Sequence, residues 1–335
     1  MSRIGLLTTS YPRHADDYAG SFVADRVATL LAGGHRVDVV AAGAAPARSV
    51  EGGSGALTIT RLPARAGLFY GAGAPEALEG SGRAWVAAVA FFSAMAAEVR
   101  SRAPSWDLIE SHWLVPAAAA ASAGAPGQPR RAWAHSGDVA LLERIPGGRA
   151  IARRLAGDGT DLRFVSAALR ERFAALAGRA VGRVEPLPIT SPLFSARGGR
   201  DGELRRRFGL SAPTVLSIGR LVPIKGHARL IRAAAIVPAA PEVVILGDGP
   251  ERGRLEELSA RLGVRLRLPG FVPRAEVAAW LRAADLFALP SVPLPNGRTE
   301  GAPTSLREAA AVGIPCVASP DVAELARAID ALRLT

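Results

Sequence analysis

Arg220 and Lys225 stand five residues apart in "SIGRLVPIKGHARLI" (217–231), and Lys225 is the only lysine among 41 lysines and arginines. The stretch reads as strand, loop and helix start. Both cations therefore leave the carboxyl end of a strand beside a helix N-terminus, whose unpaired N–H groups and dipole favour an anion. Two unit charges about 4 Å apart near a surface attract by roughly 4 kcal/mol at an effective dielectric near 20. Such a pair could hold a diphosphate and neutralise charge building on it as a leaving group. Arginine brings a flat bidentate fork and lysine a compact point charge, which gives Lys225 a reason to remain lysine. A solvated basic pair, with the lysine falling there by chance, is the alternative reading of the same residues.

Two carboxylates form a second candidate group. In "NGRTEGAPTSLREAAAVGIP" (296–315), Glu300 falls in a loop after the strand "DLFALP" and Glu308 on the helix that follows. One acid sits at the helix mouth and the other further in, with Gly301 and Pro303 suited to a tight turn between them. Carboxylates accept hydrogen bonds from vicinal hydroxyls, so the spacing fits a sugar and a ribose held in line. The plain alternative is a first-turn acid favoured by the helix dipole and an ordinary helix glutamate. His135, in "AWAHSGDVALL", and His112, in "SHWLVPA", each follow a strand. Either could touch a substrate or serve as a satisfied structural histidine; His14, His35 and His227 suggest no role.

The elements that must position these groups are legible as an alternation of short apolar runs with helical patterns, the mark of a parallel sheet wound with helices. "IGLLTT", "RVDVVAA", "LTITRL", "WDLIES", "RRAWAH", "DLRFVS" and "GRVEPL" read as strands of a first domain, residues 1–187. A polar passage, 188–212, reads as a linker. From 213 to 335 the alternation restarts with "TVLSIG", "EVVILG", "VRLRLPG", "DLFALP" and "PCVAS". Two such domains in tandem leave a cleft, and ligands of these sheets bind beyond the carboxyl ends of the strands.

At 335 residues, 49% hydrophobic and 21% charged, the chain suits two cored domains. Its net charge of +11 points to an anionic partner. The excess is spread over both halves, without the stripe or tail of a nucleic-acid binder, so nucleic acid is not expected as a partner. Cys316 is the single cysteine and reads as an inert thiol in a buried strand; it excludes internal disulfides and cysteine metal clusters. The apolar run Ala84–Val99 has 16 residues, short of the roughly 20 a membrane span needs, and reads as a buried core helix. The N-terminus shows no signal-peptide pattern. A cytoplasmic location follows as an expectation.

"SIGRLVPIKG", "VILGDGPER", "PGFVPRAEVAAWLRAADLFALP" and "EGAPTSLREAAAVGIPCVAS" resemble, in this order, the second domain of glycosyltransferase family 4. "TSYPRHADDYAGSFVADRVATLLAGGHRVDVVA" and "AWAHSGDVALL" resemble its first domain. The resemblance covers nearly the whole chain. It implies an α/β GT-B fold, two doubly wound Rossmann-like domains facing across a cleft. It also implies retaining transfer of a hexose from a nucleotide-sugar to a glycan or lipid-linked acceptor, without a metal ion or other cofactor. By the same resemblance Arg220 and Lys225 bind the donor diphosphate, Glu300 contacts the transferred sugar and Glu308 holds the ribose. His135 lies against the sugar, Gly20 lets a loop close over the diphosphate, and Phe271, Val272 and Pro273 meet the base. Gly301 and Ala302 belong to the donor-binding turn. An Arg-rich surface and a lipid-linked acceptor would suit peripheral association at the inner face of the membrane.

The chain departs from the family after "PCVAS", where about 20 residues of the usual pattern are absent and the donor domain reads as shortened. "PLPITSPLF" replaces a Gly-containing turn, and Ser136 stands in the His-Gly loop. A degenerate, inactive nucleotide-sugar-binding or partner subunit is therefore the alternative reading. A nicotinamide enzyme is a weaker rival, because Gly247, Gly249 and Gly253 miss the G-x-G-x-x-G spacing by one.

Overall fold

The computed structural model describes residues 1–14, 17–51, 55–65, 67–69, 78, 82–135, 137–195, 201–238, 240–294, 300 and 303–334. The chain divides into two units, Met1–Pro188 and Ile189–Thr335.

In the first unit the strands are β1 (Arg3–Leu7), β2 (Arg36–Gly43), β3 (Ala47–Glu51), β4 (Leu57–Pro63), β5 (Leu108–His112), β6 (Arg130–Ala134), β7 (Asp161–Phe164) and β8 (Arg183–Val184). They form one sheet in the order β3-β4-β2-β1-β5-β6-β7-β8. Its helices are α1 (Ser21–Ala32), α2 (Gly82–Arg102), α3 (Ala119–Gly124), α4 (Gly137–Arg144), α5 (Gly148–Gly157) and α6 (Ala167–Ala177). Buried on both faces, β1 and β2 are largely apolar. Along β2, Val37, Val39 and Ala41 pack with Val23, Val27 and Leu30 of α1. Val40 and Ala42 turn the other way, toward Phe91, Met95 and Val99 of α2.

Two expectations need correction here. The sheet is not wholly parallel, because β3 pairs antiparallel with β4. "ARSVE" has no apolar run to reveal it, and only five residues join it to β4, too few for a parallel crossover. The helix at 84–99 is also longer than expected and only one of its faces is buried: Val86 and Val89 stay exposed. By length and hydropathy alone it could cross a membrane, yet its other face packs on the sheet.

The second unit contains α7 (Gly202–Phe208), β9 (Thr214–Ile218), α8 (His227–Ala235), β10 (Glu242–Leu246), α9 (Arg252–Leu262), β11 (Arg265–Gly270), α10 (Arg274–Ala283), β12 (Leu286–Leu289), α11 (Thr304–Val312), β13 (Cys316–Ala318) and α12 (Val322–Asp330). The sheet order is β11-β10-β9-β12-β13, all parallel. Strand alternation divides the core: Val215, Val243, Ile245 and Leu286 meet Leu230, Ile231, Leu325 and Ile329 of α8 and α12. Leu216, Val244, Leu246 and Phe287 meet Trp280, Ala309 and Val312 of α10 and α11. From β9 the chain winds first through β10 to β11, then returns to the other side as β12 and β13. The switch point lies between β9 and β12.

Part of the stretch read as a linker is ordered structure of this unit. Asp201 caps α7 through the Glu203 and Leu204 N–H groups, Arg205 reaches Asp285 at 2.9 Å, and Phe208 stacks on Trp280 at 3.9 Å. Cys316 also differs from expectation. Its strand is the last in the sheet, flanked on one side only, and the residue is exposed.

Candidate active site

The loops that follow β9 and β12 meet at the switch point of the second sheet. After β9 the chain is tied to the β10 loop, with Leu221 N–H donating to Asp248 O at 2.9 Å and Glu251 N–H to Leu221 O at 3.1 Å. It is tied to the β12 loop where Val292 N–H donates to Ile224 O at 2.9 Å. Gly226, at φ 65°, turns the chain into α8 so close to the β12 loop that a Cβ would lie 2.0 Å from Pro290 O. This glycine sets where Lys225 stands. The lysine stem lies back across Gly219, whose absent Cβ would meet Lys225 Cε at 2.9 Å.

Lys225 Nζ donates to Glu300 Oε1, and Ser291 Oγ donates to Glu300 Oε2. Two groups 75 residues apart in sequence, assigned separately to diphosphate and sugar, thus form one charged pair, each partner largely but not wholly buried. Arg220 is half-buried in the same loop. Gly301 and Ala302 lie outside the described residues.

His227, given no role by its sequence context, is fully buried directly beneath this loop, with Nδ1 3.4 Å from Ser217 Oγ. Burial first, and then the charge of Lys225, push its pKa down from 6.5 to about 4. The unfolded chain takes up that proton below pH 6.5 and the folded chain only near 4. The stability held by neutral His227 is therefore complete above 6.5 and drains away as the pH falls. Between pH 7.5 and 4.5 wild type should lose roughly 2–3 kcal/mol more than His227→Gln. Urea unfolding of both proteins at the two pH values measures the difference; equal losses would show that His227 is not buried neutral.

Glu308 is on α11 and buried, as a helix glutamate facing inward must be. Its Oε1 accepts from Arg274 Nη2 at 2.9 Å and Nε at 3.2 Å, and the Arg274 guanidinium lies 5.0 Å over the Phe194 ring. Arg274 was missed from sequence, since nothing local ties "VPRAEV" to an acid 34 residues away. Removing it takes two charge-assisted hydrogen bonds from a buried carboxylate. Arg274→Ala should cost about 3 kcal/mol, the low end for breaking a buried pair, read as a lower urea midpoint. Phe271 is 51% exposed, while the Val272 side chain belongs to the core. Only the main chain of Val272 is left to face a ligand, with Pro273 opening α10.

In the first unit, Gly20 caps α1 at φ 75°, where a Cβ would lie 2.2 Å from Ser10 O. The loop after β1 thus closes on the start of α1. His135 follows β6 and is half-buried; its N–H donates to Asp138 Oδ1 at 3.2 Å. Asp138 also accepts from Leu114 N–H at 2.9 Å, joining the β5 and β6 loops. His135 Nε2 is 3.1 Å from His112 Nδ1, and Phe22 and Trp113 hold the His135 ring at 4.8 Å each. Ser136 lies outside the described residues. Behind the pair, Glu110 accepts from Arg26 at 2.7 and 2.9 Å and from Arg131 at 3.1 Å. Burial opposes its ionisation, but the hydrogen bonds from Arg26 outweigh that and hold the carboxyl well below its usual range. Glu110 and Arg26 were also missed: each reads locally as an ordinary strand or helix charge.

Residues 212–332 match the family described as Glycosyl transferases group 1. The switch-point pair, Lys225 and Glu300, lies inside the matched stretch. Among curated relatives, the GDP-mannose-dependent alpha-(1-6)-phosphatidylinositol monomannoside mannosyltransferase of Mycobacterium tuberculosis is 35% identical over 184 residues, 52% of this chain and 47% of that protein. The chain spans about half the length of the curated relatives it matches. Among solved structures, sucrose-phosphate synthase from Thermosynechococcus elongatus superposes with a TM-score of 0.73 at 18% identity, covering 100% of this chain and 90% of that one. Anabaena HepE in complex with UDP and glucose gives 0.65 at 21% identity, covering 98% and 89%. The fold of the chain is the GT-B fold of these structures.

Proposed function

We propose that the protein transfers a hexose from a nucleotide-diphosphate sugar to a glycan or lipid-linked acceptor, with retention at the anomeric carbon. The observation that carries the reading is the Lys225–Glu300 pair at the switch point of a parallel sheet, inside the stretch matched by group 1 glycosyltransferases. Ligands of open α/β sheets sit at such points. One relative is named for GDP-mannose and a lipid acceptor, and one structural neighbour holds UDP and glucose, which supports this substrate class.

In the proposed reaction Arg220 and Lys225 hold the diphosphate, Glu300 accepts from a sugar hydroxyl and Glu308 from the ribose. Gly20 lets a loop approach the diphosphate, and the backbone at Phe271 and Val272 meets the base. His135 contacts the sugar being transferred. The acceptor oxygen bonds to C1 on the face from which the C1–O bond to phosphate breaks. Its proton passes to the departing phosphate oxygen, and the nucleoside diphosphate leaves. Charge grows on that oxygen, so fixed cations already aimed at it stabilise the transition state more than the ground state. The reading assigns this work to the two side chains without a metal ion, and places the reaction in the cytoplasm at the membrane's inner face where the acceptor is lipid-linked.

A thermal-shift series with UDP- and GDP-sugars should find one donor that stabilises by about 2.7 kcal/mol at a hundred times its Kd. The same donor, radiolabelled, should transfer its sugar to a membrane or glycan fraction. Stabilisation without transfer or hydrolysis would establish the binding-subunit reading instead. No stabilisation by any nucleotide-sugar would refute both.

A further inference from the structure

Behind His135 stand two groups that are wholly buried, His112 and Glu110. The parallel register of β5 and β6 sets Glu110 beside Arg131 and His112 beside Trp133. Alternate residues share a face, so Glu110, His112 and then His135 line up on one side of the sheet. The contacts follow that line: Glu110 Oε1 is 3.6 Å from His112 Nε2, and His112 Nδ1 is 3.1 Å from His135 Nε2.

Which nitrogen carries each proton follows from charge. The Glu110 carboxylate is already faced by the guanidiniums of Arg26 and Arg131. In its neutral form His112 carries one ring proton. Facing a carboxylate, Nε2 holds it; Nδ1 is then the acceptor, and the proton between the two rings must sit on His135 Nε2. Trp113, next to His112, keeps a φ of 84°, a left-handed-region strain that a non-glycine residue bears only where its surroundings demand it.

We infer that His112, backed by Glu110, is a positioning residue that fixes His135 as its Nε2–H tautomer and makes His135 Nδ1 the accepting nitrogen. The inference rests on the proposed contact of His135 with the transferred sugar. An Nδ1 lone pair can accept from a sugar hydroxyl; an Nδ1–H cannot.

Ring ¹⁵N NMR of the ligand-free full chain reads the tautomer without any turnover. Wild type should show His135 protonated on Nε2 alone. His112→Gln, which loses the acceptor at the Nδ1 position, should release His135 into a tautomer mixture and lower kcat by about tenfold or more, as misplacing a reacting group does. The donor KM should change less than twofold. His112→Asn keeps an acceptor at that position and should restore the tautomer and part of the turnover. An Nδ1–H or doubly protonated His135 in wild type overturns the inference, and so does a His112→Gln spectrum identical to wild type. Should His112→Gln fail to fold, the wild-type spectrum decides alone. A wild-type Nε2–H tautomer in a protein that transfers no sugar leaves the positioning intact and sinks the proposed function.

Discussion

Lys225→Ala should keep the fold and lower turnover on a labelled nucleotide-sugar by about a hundred- to a thousandfold, the range for removing one preorganised charge from a transition state. The side chain is held on two sides. Its stem rests across Gly219, where no Cβ intervenes, and its ammonium is paired with Glu300. In the proposed reaction the departing diphosphate gives that ammonium a second, growing negative partner. The effect should therefore fall on kcat more than on the donor KM, since uniform binding would change KM alone. Lys225→Arg should rescue little, because a planar fork does not replace a compact point charge seated against Gly219. Steady-state kinetics on the three proteins would sink the assignment if Lys225→Ala turned over at the wild-type rate.

Gly226→Ala should destabilise the second unit by about 2–5 kcal/mol, combining the roughly 1–2 kcal/mol cost of the left-handed backbone with the roughly 1–3 kcal/mol of overpacking. The clash is with a main-chain carbonyl, Pro290 O, which cannot rotate away as a side chain would. Gly34→Ala is the control: its φ is 79°, yet nothing lies within 4 Å of the added Cβ. That variant should show the backbone cost alone. Urea unfolding compares them, and equal losses would mean that the close approach of the two loops carries no energy. Because Gly226 also places Lys225, Gly226→Ala should lose turnover even at temperatures where it remains folded.

Most of the fold was legible because parallel sheets write themselves into sequence. Strands buried on both faces become short apolar runs such as "RVDVVAA" and "EVVILG", and the chain must travel through a helix to start the next one. The elements that escaped obey other rules. β3 is an exposed edge strand, which polar residues serve as well as apolar ones. α7 sits in an Arg-rich passage whose apolar members, Leu204 and Phe208, are too few to mark a helix until Trp280 is there to receive them.

By itself the sequence determined which groups could do chemistry at strand ends: the arginine–lysine pair in the β9 loop, the acids after β12 and the histidine after β6. Residue type, a preceding strand and a following helix are local properties, and they survive in one dimension. Only tertiary structure decided the partners. Lys225 meets Glu300 because β9 and β12 are neighbours in the sheet while their paired residues, such as Val215 and Leu286, stand 71 apart in the chain. Arg274 takes Glu308, Arg26 and Arg131 converge on Glu110, and His112 meets His135, each across different elements. Charge pairing acts over a few ångströms of space and ignores distance along the backbone, so such pairs exist only once the sheet has brought its strand ends together.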